Sequence, residues 1–288
     1  MALIYTVECL GECSKNKPYG KLNWDFLGPI YCISLKENPK RTLRAKRELC
    51  RAGMCGYAKM YQPDKDKSTH VPRPGIRGCW ESHRALSFEE GNPCVFEDDM
   101  LFSKDIKNQH ARIKKAFEYV KTKKWDIFCL GCFPIGMYKT KNLDVKELGY
   151  FQGLHAYIMG DSAKQWLQGH PYDEMKGRAS IPQTFFSAPE TPKRGVLGID
   201  MYLTQLDHMF MLYPTAVYQA GHHDPETRVT TNPKNNHAAN ILQKMINPET
   251  QIIMEKTLHI EEGLALVAFL LIMLAFFAFY RDRKNKNY

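Results

Sequence analysis

Three consecutive carboxylates, Glu97, Asp98 and Asp99, end a short apolar run in the stretch CVFEDDMLF, residues 94–102. Like charges held this close repel one another and lose hydration, a cost that a divalent cation or a cationic ligand offsets. Val95 and Phe96 read as a buried strand of a parallel sheet, and ligands of open α/β sheets collect beyond the carboxyl ends of the strands. If the extended geometry persists for two more residues, Asp98 points back into the fold while Glu97 and Asp99 share the opposite face. That face is a hard-oxygen site suited to Mn2+ or Mg2+, with a diphosphate supplying further ligands. A solvated acidic loop is the competing reading, because short acidic clusters are common and most bind nothing.

Other residues could serve the same chemistry. Lys36, Arg41 and Arg44 follow a strand read over Ile30–Leu35, at the start of a helix read over 41–53; they could meet a diphosphate or could be solvated helix charges. Asp200 follows a glycine-containing turn and starts a helix, where it could be an N-cap. His222, with His223 and Asp224, could complete a metal site or belong to a solvent loop. Cys129 and Cys132 have C-x-x-C spacing inside WDIFCLGCF, which reads as a buried strand, so unreactive core thiols are favoured over zinc or redox chemistry.

The elements that must position these groups alternate between strand and helix periods. A second strand is read in CGYAKMY, a helix in RGCWESHRALSFEEGN with Trp80, Ala85 and Leu86 facing a core, and a basic helix over 104–124 with Ile106, Ile113, Phe117 and Val120 as its stripe. WDIFCLG reads as a strand, residues 133–149 as a basic loop, and GLHAYIMGDSAKQWLQG as a strand followed by a helix capped by Asp161 or Ser162. Residues 1–28 show no sustained period and suggest no role.

The chain has 288 residues, 44% hydrophobic and 25% charged, which is a globular composition and excludes wholesale disorder. Its net charge of +9 is spread out, with no run of five basic residues, so no nucleic-acid partner is expected. Nine cysteines, an odd number, follow a start without the pattern of a secretory signal, which favours a reduced compartment.

The order of motifs resembles the glycosyltransferases of family 25, which include lipooligosaccharide and procollagen galactosyltransferases. The resemblance is carried by IYCISLKENPKR, GCWESHRAL, CVFEDDMLF, GLHAYIMGDSAKQWL and GIDMYLTQL, over roughly residues 29–220. It implies an α/β fold of GT-A-like, nucleotide-sugar-binding type with a mixed, mostly parallel central sheet, a UDP-sugar donor, manganese, and a glycan or protein hydroxyl as acceptor. Within it, Asp99 is the direct metal ligand, Glu97 lies nearer the ribose or a metal-bound water, and Gly153 and His155 lie close to the donor. Asp200 falls on the acceptor side and is the candidate general base, since an inverting transfer needs a carboxylate to take the acceptor hydroxyl's proton. A competing function keeps the fold without activity, as a membrane-anchored interaction protein.

This reading divides the chain into an N-terminal extension (1–28), the transferase domain (29–229), a polar linker (230–262), a transmembrane helix (263–280) and a basic tail (281–288). The 18 uncharged residues GLALVAFLLIMLAFFAFY span roughly 27 Å as a helix, enough for a bilayer's hydrocarbon core. The basic tail favours export of the main domain, while the missing signal and the free cysteines favour a cytosol-facing domain on a C-terminal anchor. The second arrangement is the expectation carried forward.

Overall fold

Strands β2 (Ile30–Ile33), β3 (Ala58–Gln62) and β4 (Cys94–Glu97) run parallel, with β2 between the other two. Their connections are helices α1 (Pro39–Arg51) and α2 (Pro74–Ser87), each opened by a proline whose fixed φ suits a first helical turn. The computed structural model describes residues 2–9, 22–69, 74–175 and 198–220, all within the unit spanning 1–220. The linker, the apolar segment 263–280, the basic tail and His222 lie outside the described residues. Among the described residues no helix is long and apolar enough to cross a membrane.

The rest of the sheet departs from the expected mostly parallel arrangement. Strands β6 (Ile127–Lys139) and β7 (Val145–Met159) form a long antiparallel hairpin, and β7 pairs antiparallel with β4. Strand β1 (Leu3–Thr6) adds antiparallel to the outer edge of β3, and β8 (Met209–Leu212) adds parallel to β6. The seven-stranded order is β1-β3-β2-β4-β7-β6-β8. The sheet is therefore mixed and mostly antiparallel, which corrects the mostly parallel expectation. The cause is local: residues 133–149, read as a basic loop, continue both strands of the hairpin, with register shifts between Cys129 and Met137 that interrupt the alternation a strand reading depends on.

Side chains alternate across the sheet and build two cores. Ile30, Cys32, Phe96 and Phe128 pack with α1 and with α3 (Ile106–Lys121), while Tyr31, Val95, Cys129 and Tyr157 pack with α2, with α4 (Asp161–Gln168) and with Tyr202 of α5 (Ile199–Leu203). The result is an α/β sandwich with helices on both faces. A two-stranded ribbon of β5 (Met100–Phe102) and β9 (Val217–Gln219) adjoins the end of β4.

The N-terminal residues, for which the sequence suggests no role, supply β1 and three wholly buried side chains among the described residues, Val7, Trp24 and Leu27. Trp24 donates its indole N–H to the Ala52 carbonyl at 3.1 Å, closing the end of α1. Cys9 is joined to Cys55 by a disulfide, and Cys50 is disulfide-bonded as well. Such bonds persist in oxidising compartments.

Candidate active site

The alternation of β4 divides the acidic triplet. Glu97, on the same face as Val95, turns toward α2, whereas the buried Asp98 turns toward α1 and accepts a hydrogen bond from Ser34 Oγ at 2.9 Å. The extended geometry ends there: Asp98 and Asp99 form a turn into β5, so Asp99 does not share a face with Glu97 as expected. Arg41 pairs with Asp98 and lies 3.3 Å from Asp99 Oδ2, which also accepts from Gln219 Nε2 at 3.0 Å. Asp99 Oδ1 is buried without a hydrogen-bond partner among the described residues.

The cations expected near a diphosphate are committed elsewhere. Arg41 neutralises the Asp98–Asp99 turn, and Arg44 donates to the Asp98 carbonyl at 3.3 Å. Lys36 pairs at 2.9 Å with Asp64 on the loop after β3. In this structure Arg41 and Arg44 therefore serve the charge and backbone of the acidic turn.

Glu97 faces a different set of partners. Cys79 and His83 sit four residues apart on α2, hence on one helix face. Glu97 Oε1 lies 3.3 Å from His83 Nε2 and 4.0 Å from Cys79 Sγ. His83 is 0% exposed, stacks on the Tyr157 ring, and its Nδ1 lies 2.8 Å from the Tyr157 hydroxyl. That hydroxyl can donate to Nδ1, which leaves Nε2–H to donate to the Glu97 carboxylate.

A cavity of about 220 Å³ opens beside this group, lined by Cys79, Glu97, Gly153, Leu154, Ile199 and Asp200 among others. Gly153 has φ +62°, and a Cβ placed on it would stand 2.6 Å from Phe133 Cδ2, so only glycine fits. Its N–H donates to Asp200 Oδ2 at 2.9 Å. Asp200 is in the first turn of α5, after Gly198 at the N-cap position, so it is not the cap residue itself. His155, also on β7, is buried rather than at the cavity: its two ring nitrogens face the carbonyls of Gly153 (2.8 Å) and Val217 (3.1 Å).

Burial, more than charge, sets the protonation of the site. Burial, then the neighbouring charges of Asp99, Asp98 and Asp200, push the Glu97 carboxyl well above its ordinary range, with Arg41 opposing them. Burial also raises Asp98 against the pull of Arg41. The packed surroundings, then Glu97 and Asp200, hold the Cys79 thiol well above its usual value, so it is no ready nucleophile. Burial depresses His83 to about 4, which makes it a neutral imidazole at physiological pH. Cys129 and Cys132 are buried free thiols, as their place in a core strand suggests.

Of the residues singled out in the sequence, Glu97, Gly153 and Asp200 meet at one cavity, although 56 positions separate Glu97 from Gly153 and 47 separate Gly153 from Asp200. Asp99, Lys36, Arg41 and Arg44 do not line it, and His155 serves the backbone. Cys79 and His83 also stand beside this cavity's Glu97, and their C-x-x-x-H spacing on the helix is the sequence signal that points to them. No protein-family model matches the chain, and no curated protein matches it in sequence.

Proposed function

We propose that this chain is a metal-dependent glycosyltransferase of family-25 type with a GT-A-like domain, moving a hexose from a UDP-sugar to a hydroxyl of a glycan or protein with inversion. The observation that carries the reading is the meeting of Glu97, Gly153 and Asp200 at one cavity beyond the carboxyl end of β4. In the same reading the apolar segment 263–280 anchors the chain in a membrane.

The residues present suit a hard divalent cation such as Mn2+ or Mg2+. Asp99, Asp98 and Asp200 all act electrostatically on Glu97, against Arg41 as the opposing charge, and Asp99 keeps one buried oxygen without a partner among the described residues. Asp99 would hold the ion directly through its unpartnered oxygen and Glu97 would reach it through a metal-bound water, and the ion would neutralise the diphosphate as it leaves. Asp200 is the general base: the Gly153 N–H fixes one of its oxygens, and the other takes the acceptor hydroxyl's proton as that oxygen attacks the anomeric carbon. Ile199 and Leu154 give the cavity an apolar wall that excludes water competing for the sugar.

The test is calorimetric titration of the full-length chain with UDP, with and without Mn2+, followed by a donor screen. Binding should require Mn2+ and be lost in Asp99→Ala, and Asp200→Asn should lower turnover by roughly 10²- to 10⁴-fold with UDP affinity retained. A folded protein that binds no UDP under either condition overturns the reading.

A further inference from the structure

Cys79, His83 and Glu97 form a cluster of which the donor reading uses only Glu97. One ligand atom from each lies within 4.8 Å of the others. A tetrahedral zinc ion with ordinary bond lengths requires about 3.3 Å between nitrogen and oxygen ligands and about 3.6 Å between sulfur and oxygen. The observed 3.3 Å from His83 Nε2 to Glu97 Oε1 and 4.0 Å from Cys79 Sγ to the same oxygen are close to those edges. The sulfur edge is about 0.4 Å longer than the ideal one.

Three further features fit a metal centre. The i, i+4 spacing on α2 sets the thiol and the imidazole side by side on a rigid element. With Nε2 on the ion the proton moves to Nδ1, which would then donate to the Tyr157 hydroxyl 2.8 Å away and fix the ring's orientation, as outer-sphere partners of metal-bound histidines do. Cys79 and Glu97 both line the cavity that holds Asp200, so a fourth position would open onto that space.

We propose that Cys79 Sγ, His83 Nε2 and Glu97 Oε1 bind a borderline-soft divalent ion of the zinc type, with its fourth position on the cavity facing Asp200. Sulfur and nitrogen select such an ion over Mn2+ or Mg2+, which prefer oxygen ligands. The site is distinct from the hard-ion position at Asp99 and does not depend on the transferase reading. It shares Glu97 through one oxygen, and a carboxylate has a second to offer.

The experiment is titration of the chelator-treated full-length chain with Co2+ and then Zn2+. Co2+ should bind at one equivalent and give the intense visible bands of a tetrahedral centre with a thiolate-to-metal charge-transfer band, and Zn2+ should abolish both. Cys79→Ser should remove the charge-transfer band while the circular dichroism spectrum stays unchanged, and Tyr157→Phe should weaken the metal affinity about 10-fold or more. The proposal fails if the folded wild-type chain binds no Co2+, or if the thiolate band persists in Cys79→Ser. Either failure leaves Mn2+-dependent UDP binding untouched, and loss of UDP binding with the cobalt spectrum intact removes the transferase reading alone.

Discussion

His83 shows how one buried side chain can tie the candidate site to pH. Its imidazole is enclosed by Tyr157, Cys79 and Glu97, and burial depresses it to about 4 from an ordinary value near 6.5. As acid is added the unfolded chain takes up this proton first, so the contribution of neutral His83 is complete above about pH 6.5 and is lost as the pH falls toward 4. Two to three pKa units correspond to about 3 kcal/mol. Glu97 runs the other way, because its raised carboxyl is relieved by protonation. The histidine's share is therefore read as a difference: urea unfolding of the metal-free protein between pH 7 and pH 4 should show a loss in wild type that is absent in His83→Gln. Equal slopes in the two proteins would mean that His83 is not held neutral.

At the scale of elements, α1 and the end of β4 are joined by charge as well as by apolar contact. Leu49 and Ala45 pack toward Cys32 and Phe96, while Arg41, one turn into the helix, neutralises Asp98. Ser34 and Thr42 share the same buried network, with their hydroxyls 2.8 Å apart. Removing one partner of a buried ion pair leaves the other uncompensated, a loss larger than the pair's own worth. Arg41→Met should destabilise the fold by about 3 kcal/mol, measured as a fall in the denaturation midpoint, and adding Asp98→Asn should recover most of that loss. Additive effects of the two substitutions would show that Arg41 acts at Asp98 through packing alone. The β6–β7 hairpin contributes differently, through position rather than charge. Gly153 approaches Phe133 closely across it, which lets the Gly153 N–H reach Asp200, so antiparallel pairing brings α5 to the acidic end of β4.

For the molecule as a whole, the disulfides set the expectation. The Cys9–Cys55 bond spans 46 positions and staples the segment after β1 to the turn before β3. Closing a loop of that size stabilises by about 2–4 kcal/mol. Alkylation of the denatured, non-reduced protein followed by mass spectrometry should leave Cys9, Cys50 and Cys55 unmodified, and Cys55→Ser should lower the unfolding free energy by about that amount. Free thiols at all three positions in native protein would refute the staple.

The sequence by itself determined the local elements and one half of the site. The 3.6-residue stripe of α3, the breaks at Asn38–Pro39 and Gly91–Asn92, and the apolar run closed by Glu97 are short-range signals, and the structure keeps each of them close to where the pattern puts it. Asp98 turning inward was legible for the same reason, as a matter of strand period. The fate of Asp99 was not, because a turn cancels that period and Arg41 then decides where the carboxylate goes. The hairpin over 133–149 was hidden by register shifts, and the disulfides by the absence of any local cue to pairing. Only the tertiary structure could bring Asp200 to Gly153 and set Cys79 and His83 against Glu97. Those meetings depend on long-range strand pairing and on the packing of α2 and α5 on one sheet face, neither of which leaves a trace in local periodicity.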